Sequence, residues 1–209
     1  PSNGRRGSST NVTITGTNHA PLLTADTTVP PTDEVPNTTG APNSTVDVAT
    51  GTLAFVDLDL SDTHQASAAL HPGATSVMWS GGVYNDIPQA TRDALNTAMT
   101  ALVSENNTDT NNQGSVSWEF KLPDHLFDFL ADNETLTLIY DVTVTDNNGV
   151  SSTKQVTVPV GAANDKPVIT VIDSGSVQED IILVTGDLLT DTGAVTFTDT
   201  DLTDMHTAH

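Results

Sequence analysis

The chain has no cysteine, which excludes disulfide staples and thiolate zinc or iron–sulfur sites. Basic residues are also scarce: six Lys and Arg stand against 27 Asp and Glu, for a formal net charge of −21. Arg5, Arg6, Arg92, Lys121, Lys154 and Lys166 are scattered rather than clustered, so nucleic acid is excluded as a partner. An anionic membrane surface would repel the chain for the same reason. No apolar run approaches the roughly 20 residues of a membrane span, and no direct membrane insertion is expected. Pro1 to Thr10 lack the apolar core of a secretory signal, which fits either a slice of a longer protein or export without an N-terminal signal. Catalytic signatures are missing as well: there is no G-x-S-x-G elbow, no H-E-x-x-H helix and no glycine-rich phosphate loop. No enzymatic activity is expected.

What remains is distinctive. The 209 residues suffice for one or two domains with a buried core. Of the acidic residues 22 are Asp and only 5 are Glu, a bias that solubility alone does not explain. Asp suits turns and holds its carboxylate close to the backbone, as an oxygen-lined site for a hard cation requires. The 35 threonines, with abundant Val, Gly and Asn, are the composition of an all-β extracellular module.

Internal similarity organises the chain. G-T-L-A-F-V-D-L-D-L-S-D-T-H (Gly51 to His64) matches G-A-V-T-F-T-D-T-D-L-T-D-M-H (Gly193 to His206) at a constant offset of 142 residues. N-H-A-P (Asn18 to Pro21) matches N-D-K-P (Asn164 to Pro167) at an offset of 146, each after alternating apolar residues. The pattern predicts a tandem array with a period near 145 residues. Residues 1–16 would be the last strand of one repeat, 17–165 a complete repeat, and 166–209 the opening strands of the next. That final segment is too short to close a sandwich by itself.

Period-two alternation marks strands at Leu53 and Phe55, at Val116, Trp118 and Phe120, and along Leu136, Leu138, Tyr140, Val142 and Val144. D-N-N-G (Asp146 to Gly149) predicts a hairpin turn into a strand through Val156, Val158 and Val160. Ile87, Ala90, Ala94, Leu95, Ala98 and Leu102 follow helical spacing, with Asp86 as cap and Pro88 in the first turn. Asn106 to Gly114 is expected to be a loop. The expected fold is all-β: an antiparallel β-sandwich of the immunoglobulin or cadherin kind, with one short inserted helix.

The sharpest chemical pattern is D-x-D-x-x-D at Asp57, Asp59 and Asp62, repeated at Asp199, Asp201 and Asp204. Three carboxylates held close repel unless a cation lies between them, and Ca2+ tolerates irregular oxygen-lined loops where Mg2+ does not. The competing reading is a solvated turn, and recurrence of the spacing favours the metal. The junction Asn164–Asp165, with Glu179 and Asp180 downstream, can supply oxygens to a cation that fixes the angle between repeats, or be an ordinary linker. His19 stands where Asp165 stands in the later junction, which weakens the earlier one as a metal site. Asp146 and Asn148 read as turn formers. His64 and His206 suit hydrogen-bonded imidazoles, Tyr140 a tyrosine corner, and Trp118 the core. Trp79, beside Gly81 and Gly82, is a candidate for exposure, and with the loop to Tyr84 it offers a competing role in glycan or protein binding.

Together V-T-I-T-G-T-N-x-A-P, F-x-D-x-D-x-x-D-x-H, W-x-F and E-T-L-T-L-x-Y-x-V-T-V-T-D-x-x-G resemble the VCBS repeat of large type I-secreted bacterial RTX adhesins. The resemblance is strongest over Val12–Pro21, Gly51–His64 and Ser115–Pro167. It implies a stalk of tandem cadherin-like domains at the bacterial cell surface, extracellular, serving adhesion and biofilm formation. Neighbouring repeats of the same chain would be the immediate partners, and host-cell or surface ligands would bind elsewhere in the protein. It also implies that the aspartate triplets and the Asn-Asp junction hold calcium. The charge agrees: −21 disfavours the compact state, and an ion that binds only the folded form offsets that by linkage.

Overall fold

A computed structural model of the protein describes residues 10–24, 29–36, 44–107, 112–177 and 190–208. Its strands are β1 (Leu22–Leu23), β2 (Thr32–Asp33), β3 (Val46–Val56), β4 (His64–Leu70), β5 (Val77–Trp79), β6 (Met99–Asn107), β7 (Gln113–Pro123), β8 (Thr135–Asp146), β9 (Ser151–Gly161), β10 (Val168–Ile172) and β11 (Val195–Thr198), with one α-helix, α1 (Gln89–Leu95). One sheet has the order β1-β3-β7-β6 and the other β2-β9-β8-β4, with β5 pairing β8 further along the same edge. The pairings are antiparallel apart from β2 with β9, which is parallel at Thr32↔Val160 and Asp33↔Gly161. This is the expected all-β sandwich.

Alternation built it. Along β8 the side chains of Leu136, Leu138, Tyr140, Val142 and Val144 are fully buried while the threonines between them are half-exposed. Val156, Val158 and Val160 on β9 and Val116, Trp118 and Phe120 on β7 meet them in one core. Each such side chain contributes about 1.5–3 kcal/mol by leaving water. Two glycines shape this core. Gly51 pairs with Trp118 across β3 and β7, and Phe55 pairs with Gly114. Each aromatic ring lies over the glycine, where a Cβ would collide with it.

The helix is shorter than its sequence pattern. It ends at Leu95, and Met99 already belongs to β6, where Leu102 is 72% exposed. Ala101 and Val103 alternate with Thr100 and Leu102, and pairing with β7 overrides the helical spacing. Asp86 does not cap α1: it lies in a preceding 3-10 turn, and Pro88 holds the N-cap position without a side-chain bond. The expected loop at 106–114 is narrower, since β6 runs to Asn107 and β7 starts at Gln113. The Tyr140 hydroxyl donates to Leu95 O at 2.8 Å, tying β8 to the end of α1 rather than forming a local corner.

The β8–β9 hairpin closes as its sequence predicts, with Gly149 at φ 85°. Asp146 Oδ1 accepts the backbone N–H groups of Asn148 and Val150, each at 2.8 Å. This hairpin marks one pole of the sandwich, the near pole, where Asn18 also packs. The far pole lies at the other end of β8 and gathers Glu34, Asp124, Asp128 and Asp165.

Beyond it, β10 and β11 form a separate two-stranded sheet. Val168 faces Thr198 and Ile169 faces Phe197, and Leu22 faces Val56 and Leu23 faces Phe55 in the same way. The offsets of the sequence repeat carry one register onto the other.

Candidate metal centres

At the near pole β3 ends in the turn Asp57–Asp62, and β4 returns through His64. Asp57, Asp62 and Asp146 are buried there, each offering an oxygen within 4.8 Å of the others. Asp146, read from sequence as a turn former in preference to a ligand, serves the turn and also faces this cluster. Two oxygens bound to one calcium at about 2.4 Å each lie at most about 4.8 Å apart, so the spacing admits one ion. Much of this pole is already bonded within the chain. Asp57 Oδ1 accepts Asp59 N at 2.9 Å, and Asp57 Oδ2 accepts His64 Nε2 at 2.9 Å. Asp62 Oδ2 accepts Asn148 Nδ2 at 3.1 Å. Asp146 Oδ2 accepts Asn18 Nδ2 at 2.8 Å. Burial alone would raise the Asp146 pKa, but hydrogen bonds from Asn18, Val150, Asn148 and Gly149 hold it below the usual carboxylate range. Asp59 turns away from this cluster to the linker, where Oδ2 accepts His19 N at 2.5 Å and Oδ1 lies 3.4 Å from His19 Nδ1.

The second copy repeats these bonds. His206 Nε2 donates to Asp199 Oδ2 at 2.7 Å, Asp201 N to Asp199 Oδ1 at 3.1 Å, and Asp165 N to Asp201 Oδ2 at 2.8 Å. The Phe55–His64 and Phe197–His206 ring pairs both stand 4.7 Å apart, tilted by 56° and 53°. Asp199, Asp204 and His206 form a third group within metal-ligand reach.

The far pole differs in kind. Glu34 follows β2, Asp128 lies in the turn after β7, and Asp165 follows β9; all three are buried with ligand oxygens within 4.8 Å of one another. Asp201 adjoins them through its bond from Asp165 N. Glu34 Oε2 accepts Ala163 N at 2.9 Å, whereas Glu34 Oε1 and Asp201 Oδ1 are buried with no hydrogen-bond partner among the described residues. Burial pushes the Glu34 carboxyl up to about 8, reinforced by Asp165, Asp124 and Asp128 against the opposing bond from Ala163. Burial likewise pushes Asp201 up to about 7, with Asp165, Asp199 and Asp204 adding repulsion against the bond from Asp165 N. Asp47 beside Asp124 is also pushed up to about 7, by burial and then by Asp124 and Asp33. Enclosed carboxylates that face one another are relieved by protons or by a cation. An all-oxygen donor set suits a hard cation rather than zinc or copper.

Of the residues singled out by sequence, Asp165 and Asp201 meet at the far pole. Asn164 is exposed beside them, its amide bonded to Asp165 O. Glu179 and Asp180 lie outside the described residues. Glu34 and Asp128 were not singled out; the scarcity of Glu in so acidic a chain was the one available signal. Trp79 is not exposed: it is buried, edge-on to Phe129, with Nε1 bonded to Glu134 Oε2 at 2.8 Å. That removes the aromatic platform on which a Trp79-centred ligand site would depend.

No family model matches the chain, and no curated protein matches it. Among solved structures, AggA, the major subunit of aggregative adherence fimbriae type I from Escherichia coli, aligns at 8% identity and TM-score 0.36 over 70% of this chain and 98% of that one. The PapD-like domain 7 of human CEP192 aligns at 14% identity and TM-score 0.31 over 66% of this chain and 86% of that one. The resemblance to VCBS repeats therefore rests on the motifs themselves.

Proposed function

We propose that the chain is a calcium-dependent extender module of an extracellular bacterial surface adhesin, supporting adhesion and biofilm formation through reach and stiffness rather than catalysis. In this reading residues 17–165 are one complete repeat, residues 1–16 end the preceding repeat, and residues 166–209 open the next. The observation that carries it is the far pole. Glu34, Asp128 and Asp165 from one side and Asp201 from the following segment converge there, with Glu34 Oε1 and Asp201 Oδ1 enclosed and without a partner among the described residues. A cation held among them links the two segments directly. Extracellular modules of this kind bind calcium at about 10⁻⁴–10⁻³ M, so calcium would fill the site only after export and add then to the stability of the folded sandwich.

Thermal unfolding of the full chain in chelator, then across calcium from micromolar to ten millimolar with magnesium as control, tests the proposal. A calcium-specific rise supports it. A rise no larger than magnesium gives would mean that the buried carboxylates are held by protons and hydrogen bonds rather than by calcium. A ligand-binding role keeps one feature, an open cleft of about 580 Å³ that includes His71, Ser76, Tyr84, Asn85 and Asn96; binding on a glycan array would favour it.

A further inference from the structure

Beside the far-pole carboxylates lies a polar socket centred on Glu134. Its Oε2 accepts Trp79 Nε1 at 2.8 Å and Ala131 N at 3.1 Å. Ser80 and Thr135 close it from the strand edge, through Ser80 N to Thr135 O at 3.0 Å and Thr135 N to Ser80 Oγ at 2.8 Å. A Cβ on Gly81 would collide with the Glu134 carboxylate, and one on Gly82 with the Trp79 ring. The W-S-G-G run is thus explained by the need to admit and hold this carboxylate. With Oε2 pinned, Oε1 accepts Thr203 Oγ1 at 2.6 Å, while Leu202 N donates to Phe129 O at 3.2 Å. Neither bond uses a residue of the far-pole cluster.

We propose that Glu134 is a cation-independent latch: Glu134 Oε1 and the Phe129 carbonyl receive the tip of the Asp201–Asp204 turn and fix how the following segment docks on the sandwich. The partner it fits is another unit of the same construction. At the offset relating the two copies, Leu60 and Ser61 occupy the places of Leu202 and Thr203. The near-pole turn therefore carries the same tip, hydroxyl included, and both residues are exposed. The proposal rests on the chain being built of joined units and not on calcium.

The test uses the full chain, ¹⁵N-labelled, in chelator. Two tryptophans give two indole resonances, and Trp79→Phe identifies the one that reports on Glu134. Wild-type residues 195–208 are expected to share one alignment with the sandwich in residual dipolar couplings. Thr203→Val removes the donor at nearly constant shape; it should shift the Trp79 indole resonance and abolish the common alignment, and Thr203→Ser should restore both. Independent tumbling of 195–208 in the wild type, or a Thr203→Val chain that keeps its alignment, would overturn the latch. Neither result touches the calcium reading, which stands or falls on the calcium-specific rise in melting temperature.

Discussion

Asp57 Oδ2 and His64 Nε2 meet at 2.9 Å with both side chains fully enclosed. The carboxylate also caps its own turn through Asp59 N, so this pair is structural before it is anything else. Replacing His64 with Ala leaves a buried carboxylate short of a donor, at an expected cost of about 2–4 kcal/mol. The cost should be present in chelator as well as in calcium. Asp59, partly exposed and reaching His19, should cost under about 1 kcal/mol when replaced with Ala. Urea unfolding of both variants in each medium checks this.

The far pole makes stability depend on pH. Glu34 rises from 4.5 to about 8, and Asp201 from 3.8 to about 7. Between those limits the folded form holds more protons than the unfolded form, so stability falls as pH rises. In chelator the melting temperature should therefore drop from pH 5 to pH 8, and Glu34→Gln should flatten the upper part of that slope. Saturating calcium should flatten it as well in the wild type. A melting temperature that climbs with pH in chelator would contradict the arrangement described.

Gly51 leaves no room for a side chain beneath Trp118. Gly51→Ala should destabilise by about 1–3 kcal/mol through overpacking, seen as a lower urea midpoint with an unchanged m-value.

The Tyr140 hydroxyl is buried and bonded to Leu95 O. Tyr140→Phe leaves that carbonyl with only its longer bond from Ala98 N, at 3.4 Å, at an expected cost of about 0.5–1.5 kcal/mol. The loss should appear locally, as faster amide exchange across α1, with little change in β9.

The strands were legible because their inward faces are unbroken. Leu136, Leu138, Tyr140, Val142 and Val144 keep every second position apolar, with Ile139 the one apolar residue on the outward face between them, and the core needs that periodicity. The helix was over-extended because Ala98 and Leu102 continue the helical spacing, whereas Met99, Ala101 and Val103 carry the strand period, and pairing of β6 with β7 decided for the strand. Asp57 and Asp62 were visible as a local motif. The far pole was not, since Glu34, Asp128 and Asp165 come from segments dozens of residues apart and only the sandwich closes the distance. Trp79 misled for a related reason: the glycines beside it suggested an open loop, but they leave room for Glu134 and for the indole itself.

The chain passes the near pole at Asn18 and reaches the far pole at Asp165, with β2 and β9 parallel between them. Tension applied at the two poles draws β2 backward and β9 forward along one shared ladder. The rungs are then loaded together, in shear, instead of one after another as in a peeled hairpin. A rod assembled from such sandwiches would yield to force last where its strands are paired and first at its joints.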